Sequence, residues 1–361
     1  MCPDHSKITT DANNQPASKP MTLAQLGWRP FFGQQITLEQ WDFPALRVVA
    51  QHRNRLELLG ELGPVDLELT PNMPAITVGD WLQLSPEGRF EALLERQSLF
   101  RRKAAGSKVA EQLIAANVDT LFIVMSLNDD FNLSRVERYL SLANEADAEP
   151  VIVLTKADLC ADPDAMKRQV QGLDPLLMVE TINGLDAAQI DKLLPWCGSG
   201  QTVAFMGSSG VGKSTLVNTL LGGAVQETGG IREDDSKGRH TTTGRSLHPM
   251  AQGGLLLDTP GMRELQLADC DEGVNATFAD ITALAGQCRF GDCQHGNEPG
   301  CAVQAAIDSG ELEPRRLTSF QKLMREQALN SATLAQKRAK DKAFQKHINA
   351  TQSQARRFKK G

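Results

Sequence analysis

Residues Gly207 to Ser214 read Gly-Ser-Ser-Gly-Val-Gly-Lys-Ser, preceded by the apolar run TVAFM and followed by TLVNTLLG. A strand, a glycine-rich turn spaced G-x-x-x-x-G-K-[ST] and a helix form the layout of a phosphate loop, and it commits the chain around it to a parallel α/β sheet. Gly207, Gly210 and Gly212 let backbone N–H groups curl round phosphate oxygens, and the helix N-terminus adds its partial positive charge. Ser208, Ser209 and Val211 complete the loop, and Thr215 runs on into the helix. Lys213 brings a full charge to the β- and γ-phosphates, and Ser214 is placed to ligate magnesium.

A phosphate loop does not choose between ATP and GTP. The choice points to Thr155-Lys156-Ala157-Asp158, which follows the strand VIVL and has the form of the guanine motif N-K-x-D, with Thr155 where Asn is usual. The Asp158 carboxylate can accept hydrogen bonds from guanine N1–H and the 2-amino group, a donor pair adenine lacks. Lys156 is expected to lie over the base. Taken alone, the tetrapeptide also fits a helix N-cap.

The third element is Asp258-Thr-Pro-Gly261 after the strand GLLL. Asp258 would hold magnesium through water, and Gly261 can turn its N–H toward a γ-phosphate. Between phosphate loop and DTPG lies IREDDSKGRHTTTGRSL, polar and without apolar period, the texture of a switch segment. Thr241, Thr242 and Thr243 are its candidate magnesium ligands, Thr242 foremost. Ordinary small GTPases place the base motif last, whereas here the order is base motif, phosphate loop, switch, DTPG, so the topology is circularly permuted. Such a cut is admissible because the termini of a compact domain lie close together.

Hydrolysis needs a group that orients water, and relatives use a Gln directly after the DxxG glycine, where this chain has Met262. A thioether cannot do that. His240, beside the threonines, is the nearest candidate in sequence; the alternative is a loop histidine that contacts phosphate, RNA or nothing.

The rest of the chain divides by texture. Residues 1–40 are expected to form a mobile arm, their first twenty being rich in Asn, Pro, Ser, Asp and Thr. Residues 41–100 carry five short strand patterns, ALRVVAQ, LELLG, VDLELT, VGDWLQL and FEALLER, the size of a small β-barrel of the OB-fold type. Such a barrel binds nucleic acid or simply packs on its neighbour. A polar and basic link spans 101–116, the permuted Ras-like α/β domain 117–273, a helical metal-binding domain 274–335, and a basic tail 336–361. The expected fold is therefore multidomain.

Seven cysteines are an odd number, and Cys288, Cys293 and Cys301 crowd together with His295. Three thiolates and one imidazole form a closed ligand set for one structural zinc, which leaves no open position for metal catalysis. A disulfide framework fits less well. No apolar stretch reaches the ~20 residues that span a bilayer, and the polar start lacks a secretory signal's apolar core, so a cytoplasmic protein is expected. The net charge of −6 conceals an asymmetry: the last 26 residues carry nine Lys/Arg against one Asp, leaving −14 for the rest. That pattern suits local contact with a polyanion such as RNA and argues against a DNA-coating protein.

Taken together, GW at 27–28, VGDW at 78–81, RKAAG at 102–106, AANVDT at 115–120, GSSGVGKST at 207–215, REDDSKGRHTTT at 232–243, DTPGMREL at 258–265 and CRFGDCQHGNEPGCAV at 288–303 closely resemble the ribosome small-subunit-dependent GTPase A family. The resemblance runs from about residue 27 to about residue 326. It implies an OB-fold, a permuted GTPase domain and a zinc-binding C-terminal domain. It further implies a monomer that binds the small ribosomal subunit and its rRNA, assists late maturation, and hydrolyses GTP to GDP under the subunit's stimulation. The segment Thr181-Ile-Asn-Gly184 is the expected backing for the base. The competing class is an RNA-binding scaffold for which hydrolysis is incidental, a reading Met262 keeps open; an ATP-driven enzyme is disfavoured by Asp158.

Overall fold

The computed structural model describes residues 21–103, 111–128, 130–222, 245–258, 262 and 270–331. After the short helix α1 (Pro30–Gly33) come β1 (Ala45–Gln51), β2 (Arg55–Gly60), β3 (Gly63–Glu68), β4 (Trp81–Leu84) and β5 (Phe90–Leu93). All pair antiparallel, in the order β3-β2-β1-β4-β5. Their inward side chains, among them Leu46, Val48, Leu56, Leu58, Leu67, Leu82 and Leu84, share one core, and Val65 of β3 and Phe90 of β5 pack against it from the two edges. The sheet therefore curls as a small OB-type barrel does.

Residues 21–40 correct the expectation of a mobile arm. Leu26, Trp28 and Phe32 pack against Trp81 and Leu94 in a core of their own, because three large apolar groups within seven residues bury more surface than a solvated arm could leave exposed. Arg47 of β1 lies beneath them, fully buried. Its guanidinium donates to the carbonyls of Leu26, Gly79 (3.3 Å) and Asn117 (2.8 Å), and burial lowers its pKa to about 10. One side chain thus ties the N-terminal segment, the barrel and the start of the α/β region together.

The stretch read as a linker is largely a hairpin of β6 (Leu99–Lys103) and β7 (Glu111–Ala116), with Leu99 opposite Ala116. The sequence hid it because Arg101, Arg102 and Lys103 interrupt the apolar alternation that marks a strand.

Next come β8 (Thr120–Ser126), α2 (Leu133–Glu145), β9 (Glu149–Thr155), α3 (Pro163–Gln171), β10 (Met178–Thr181), α4 (Ala187–Ile190), β11 (Thr202–Gly207), α5 (Lys213–Leu220), β12 (Arg245–Pro249) and β13 (Leu255–Asp258). Their sheet order is β10-β9-β8-β11-β13-β12, parallel except at β12. β8 is buried along its whole length, as a parallel strand covered on both faces must be. Phe122 and Val124 point to the core under α5, whereas Leu121, Ile123 and Met125 point to the core under α2. β12 also pairs with β1 at Ala50 and Gln51, so the barrel and the α/β sheet are hydrogen-bonded into one.

Four helices close the described chain: α6 (Asp271–Thr277), α7 (Ala279–Ala285), α8 (Ala302–Asp308) and α9 (Pro314–Ser331). Val274, Phe278, Ile281, Val303, Leu317 and Leu323 join the same core as α2.

Candidate functional site

Parallel register brings the sequence motifs to one edge of the sheet. Ser126 at the end of β8 lies opposite Thr155 at the end of β9, Val124 lies opposite Gly207 at the end of β11, and Asp258 ends β13 beside it. Helices α2 and α5 leave this edge from adjacent strands, which opens the crevice where open α/β sheets bind ligands.

The phosphate loop links β11 to α5. A Cβ on Gly207 would stand 2.3 Å from the Val124 carbonyl oxygen, and Gly212 has φ +97°, so neither place accepts a side chain without strain. Lys213 is buried, and its Nζ donates to the carbonyl oxygens of Gly207 (2.9 Å) and Ser208. Ser209 and Gly210 are exposed at the loop's crest, Val211 packs into the core beneath it, and Ser214 is half-buried in the first turn of α5, next to exposed Thr215. A cradle of backbone N–H groups at a helix N-terminus with an amine folded over it is built to hold polyphosphate.

Thr155 is the least expected member. It is buried, and its hydroxyl lies 2.6 Å from the Val211 carbonyl oxygen and 3.2 Å from that of Met125. The residue that departs from the usual Asn therefore bridges the base motif to the phosphate loop. Lys156 takes a left-handed conformation with φ +57°, which turns the chain sharply and leaves Asp158 exposed beyond it. Ala157 N–H donates to the Ile182 carbonyl at 3.3 Å, so the segment Thr181–Gly184 backs the motif, and Gly184 lies against Leu216 of α5.

Asp258 is half-buried opposite Ser246 of β12. Nearby, burial lowers the pKa of His248, with the charge of Asp258 opposing the shift. Met262 is 2% exposed and belongs to the core, so this thioether is withdrawn from the crevice. His240, Thr241, Thr242, Thr243 and Gly261 lie outside the described residues.

Sequence reasoning missed Arg135. It stands in the first turn of α2, a helix capped by the Asn132 side chain, and its Nη1 reaches Asp130 Oδ2 at 2.7 Å and the hydroxyl of Ser208 in the phosphate loop at 2.9 Å. The partners Arg135 and Ser208 are 73 residues apart, and no local pattern announces the contact.

The metal cluster is compact. The ligand atoms of Cys288, Cys293, His295 and Cys301 lie within 4.8 Å of one another. Cys288 Sγ is 3.9 Å from Cys301 Sγ and 3.7 Å from His295 Nδ1, which in turn lies 3.6 Å from Cys301 Sγ. Ligands ~2.3 Å from a tetrahedral ion are spaced about 3.7 Å apart, so the set fits a metal ion. At Cys293 a backbone hydrogen bond at His295 favours the thiolate, but desolvation and the sulfurs of Cys301 and Cys288 prevail and push the thiol up to about 11. A cation among the four atoms supplies the charge that ionises such thiols. Cys301 also caps α8, its sulfur accepting from Gln304 N–H.

A phosphate loop after β11, a guanine-type motif at the end of β9 on the far side of β8, and the chain order of the two define a circularly permuted Ras-like GTPase. A family model described as RsgA GTPase matches residues 93–268. Over 336 residues the chain is 63% identical to small ribosomal subunit biogenesis GTPase RsgA 2 of Vibrio parahaemolyticus, covering 93% of this chain and 94% of that one. The crystal structure of YjeQ from Thermotoga maritima matches with a TM-score of 0.61 and 26% identity, over 79% of this chain and 98% of that one. YloQ, described as a circularly permuted GTPase, shares the fold with a TM-score of 0.55 at 22% identity, over 81% of this chain and 97% of that one. The chain belongs to the RsgA GTPase family and is a GTP hydrolase.

Proposed function

We propose that this GTPase binds the small ribosomal subunit, assists its late maturation, and hydrolyses GTP to GDP under the subunit's stimulation. The observation that carries the reading is the Thr155 bridge, which holds a guanine-reading strand end against a phosphate cradle. Asp158 and Lys156 read and cover the base, the backbone of Gly207 to Gly212 wraps the phosphates, and Lys213 leaves its carbonyl partners to meet the β- and γ-phosphates. Magnesium neutralises phosphate charge when bound with the nucleotide. Ser214 and Asp258 (through water) are the residues that would hold it, joined by Thr242 from the switch. Gly261 turns its N–H toward the γ-phosphate, and His240 orients the attacking water.

The Cys288, Cys293, His295, Cys301 set holds one structural zinc, since thiolate-rich tetrahedral sites select that ion and all four positions are filled by protein. The chain works as a cytoplasmic monomer with rRNA as its contact surface and has no role at DNA or a membrane; no helix among the described residues is long and apolar enough to cross one. A second reading, an assembly scaffold in which hydrolysis is incidental, is favoured by the withdrawal of Met262 into the core.

The decisive experiment measures GTP turnover with and without purified small subunits, using ATP and large subunits as controls. Stimulation confined to GTP and the small subunit establishes the assembly-GTPase reading. Turnover unmoved by either subunit sinks it in favour of the scaffold. His240→Ala should lose the stimulated rate while mant-GDP binding stays within about twofold, since general-base and positioning groups act on chemistry more than on ground-state binding.

A further inference from the structure

We propose that α2 mechanically couples the metal-bearing C-terminal helices to the phosphate loop, with Arg135 as a positioning residue for that loop. The inference deepens the function proposed above, since it rests on the loop holding GTP and supplies a route by which a partner at the C-terminal helices changes it.

One end of the route is the pair of contacts made by Arg135, to Ser208 Oγ in the loop and to Asp130 just before the helix. The carbonyl of the same Ser208 accepts from Lys213 Nζ, so a shift of Arg135 moves the residue that anchors the phosphate-binding amine. The other end is a dense grip on the body of α2. Glu137 is completely buried, and its carboxylate accepts from Arg315 Nη1 at 3.1 Å and Arg316 Nη1 at 2.9 Å, both on α9. Arg316 also holds Asp280 of α7 at 2.6 Å and lies over the Phe278 ring. Arg138 pairs with Glu326 of α9. At the far end, Glu145 accepts from Gly273 N–H of α6 at 2.9 Å, and Asn144 donates to Thr277 at 3.0 Å.

These contacts involve side chains two, three, nine and ten residues beyond Arg135 on the same helix. At 1.5 Å per residue they span about 15 Å of an element that does not bend without a cause such as proline. Glu137 and Asp280 balance Arg315 and Arg316 charge for charge, so withdrawing any one of them leaves the cluster with an uncompensated charge, and the grip has a defined geometry and does not slide. The metal cluster joins the same body: Cys301 caps α8, and the Gln294 carbonyl beside His295 accepts from Gln321 of α9 at 3.1 Å. Force on the C-terminal helices thus reaches Ser208 through one rigid helix and one hydrogen bond.

The test uses the full chain loaded with mant-GDP, and reads the nucleotide dissociation rate by stopped flow. Arg138→Glu should speed dissociation about fivefold, the lower end of typical coupling energies. Adding Glu326→Arg to it should bring the rate back to within about twofold of wild type, a rescue that general destabilisation would not give. In an Arg135→Ala background, Arg138→Glu should add less than about twofold, since the route is already cut. If Arg138→Glu misfolds by circular dichroism, Arg138→Gln serves in its place. Wild-type dissociation in a folded Arg138 variant, or additive effects of the Arg135 and Arg138 changes, would overturn the coupling. Small subunits that fail to stimulate wild-type turnover would remove the assembly function alone, because the dissociation rates judge the coupling without them.

Discussion

Thr155 shows how one hydroxyl can tie two motifs together. It sits in the dry space between β9 and the phosphate loop, and Val211 and Met125 both present carbonyls to it. Replacement by the near-isosteric Val keeps the volume and removes the donor, leaving buried carbonyls short of a partner at about 1 kcal/mol or more. Thr155→Val should therefore lower the melting temperature by a few degrees and weaken mant-GDP binding roughly tenfold in an equilibrium titration. Unchanged affinity would mean that the bridge is incidental. Asp158 is a different kind of residue: exposed, outside the core, and valued for its two acceptor oxygens. Asp158→Asn should exchange the preference for GDP over xanthosine diphosphate by 100-fold or so, read by competition against mant-GDP, because a site left with unpaired polar groups rejects its former ligand strongly. Both residues were visible in the sequence, but unequally. Asp158 could be read from chemistry alone, whereas the tetrapeptide gave no hint that Thr155 spans to Val211, since that contact joins positions 56 apart and exists only once the chain between them has folded.

At the scale of elements, legibility followed periodicity. β8, β9 and β11 are unbroken apolar runs, and α2 repeats Val136, Leu140 and Ala143 at helical spacing, so each announced itself. β12, with the sequence RSLHP, and the hairpin β6–β7 did not, because their partners and not their own patterns determine them. The contact of α2 with α6 belongs to the same hidden class. A Cβ on Gly273 would lie 2.1 Å from the Ser141 carbonyl oxygen and 2.7 Å from the Glu145 amide nitrogen, so the two helices touch backbone to backbone there. Gly273→Ala should lower stability by about 1–3 kcal/mol, seen as a drop in urea midpoint, even though alanine is the better helix former. Gly198→Ala, where nothing lies within 4 Å, is the matched control and should leave the midpoint in place. Cys301 tests the neighbouring helix. Cys301→Ser should lose bound zinc by elemental analysis and loosen α7–α8 packing in near-ultraviolet dichroism, because it removes a proposed thiolate ligand while the serine hydroxyl still accepts from Gln304 N–H and keeps the cap. Full zinc content in that variant would refute its ligand role.

For the molecule as a whole, charge decides how it can meet RNA. The net charge is −6, yet residues 336–361 hold nine Lys/Arg against one Asp, so the remainder is more acidic than the total suggests. A body of that sign is repelled by a polyanion within a Debye length, which grows from about 10 Å at about 0.1 M salt to about 30 Å at about 0.01 M, and the attraction has to come from segments where positive charge is concentrated. If the tail supplies phosphate contacts, each one releases counterions and adds roughly 0.7–0.9 to the slope of log K against log salt. A chain ending at Ser331 should therefore bind small subunits more weakly at low salt and with a shallower slope, while its unstimulated GTP turnover stays within about twofold of the full chain. The two binding curves should converge as salt rises, because what the tail contributes is the screened part of the affinity. An unchanged slope would move the RNA contact to the barrel and the C-terminal helices, whose grip on α2 would then carry the whole signal to the phosphate loop.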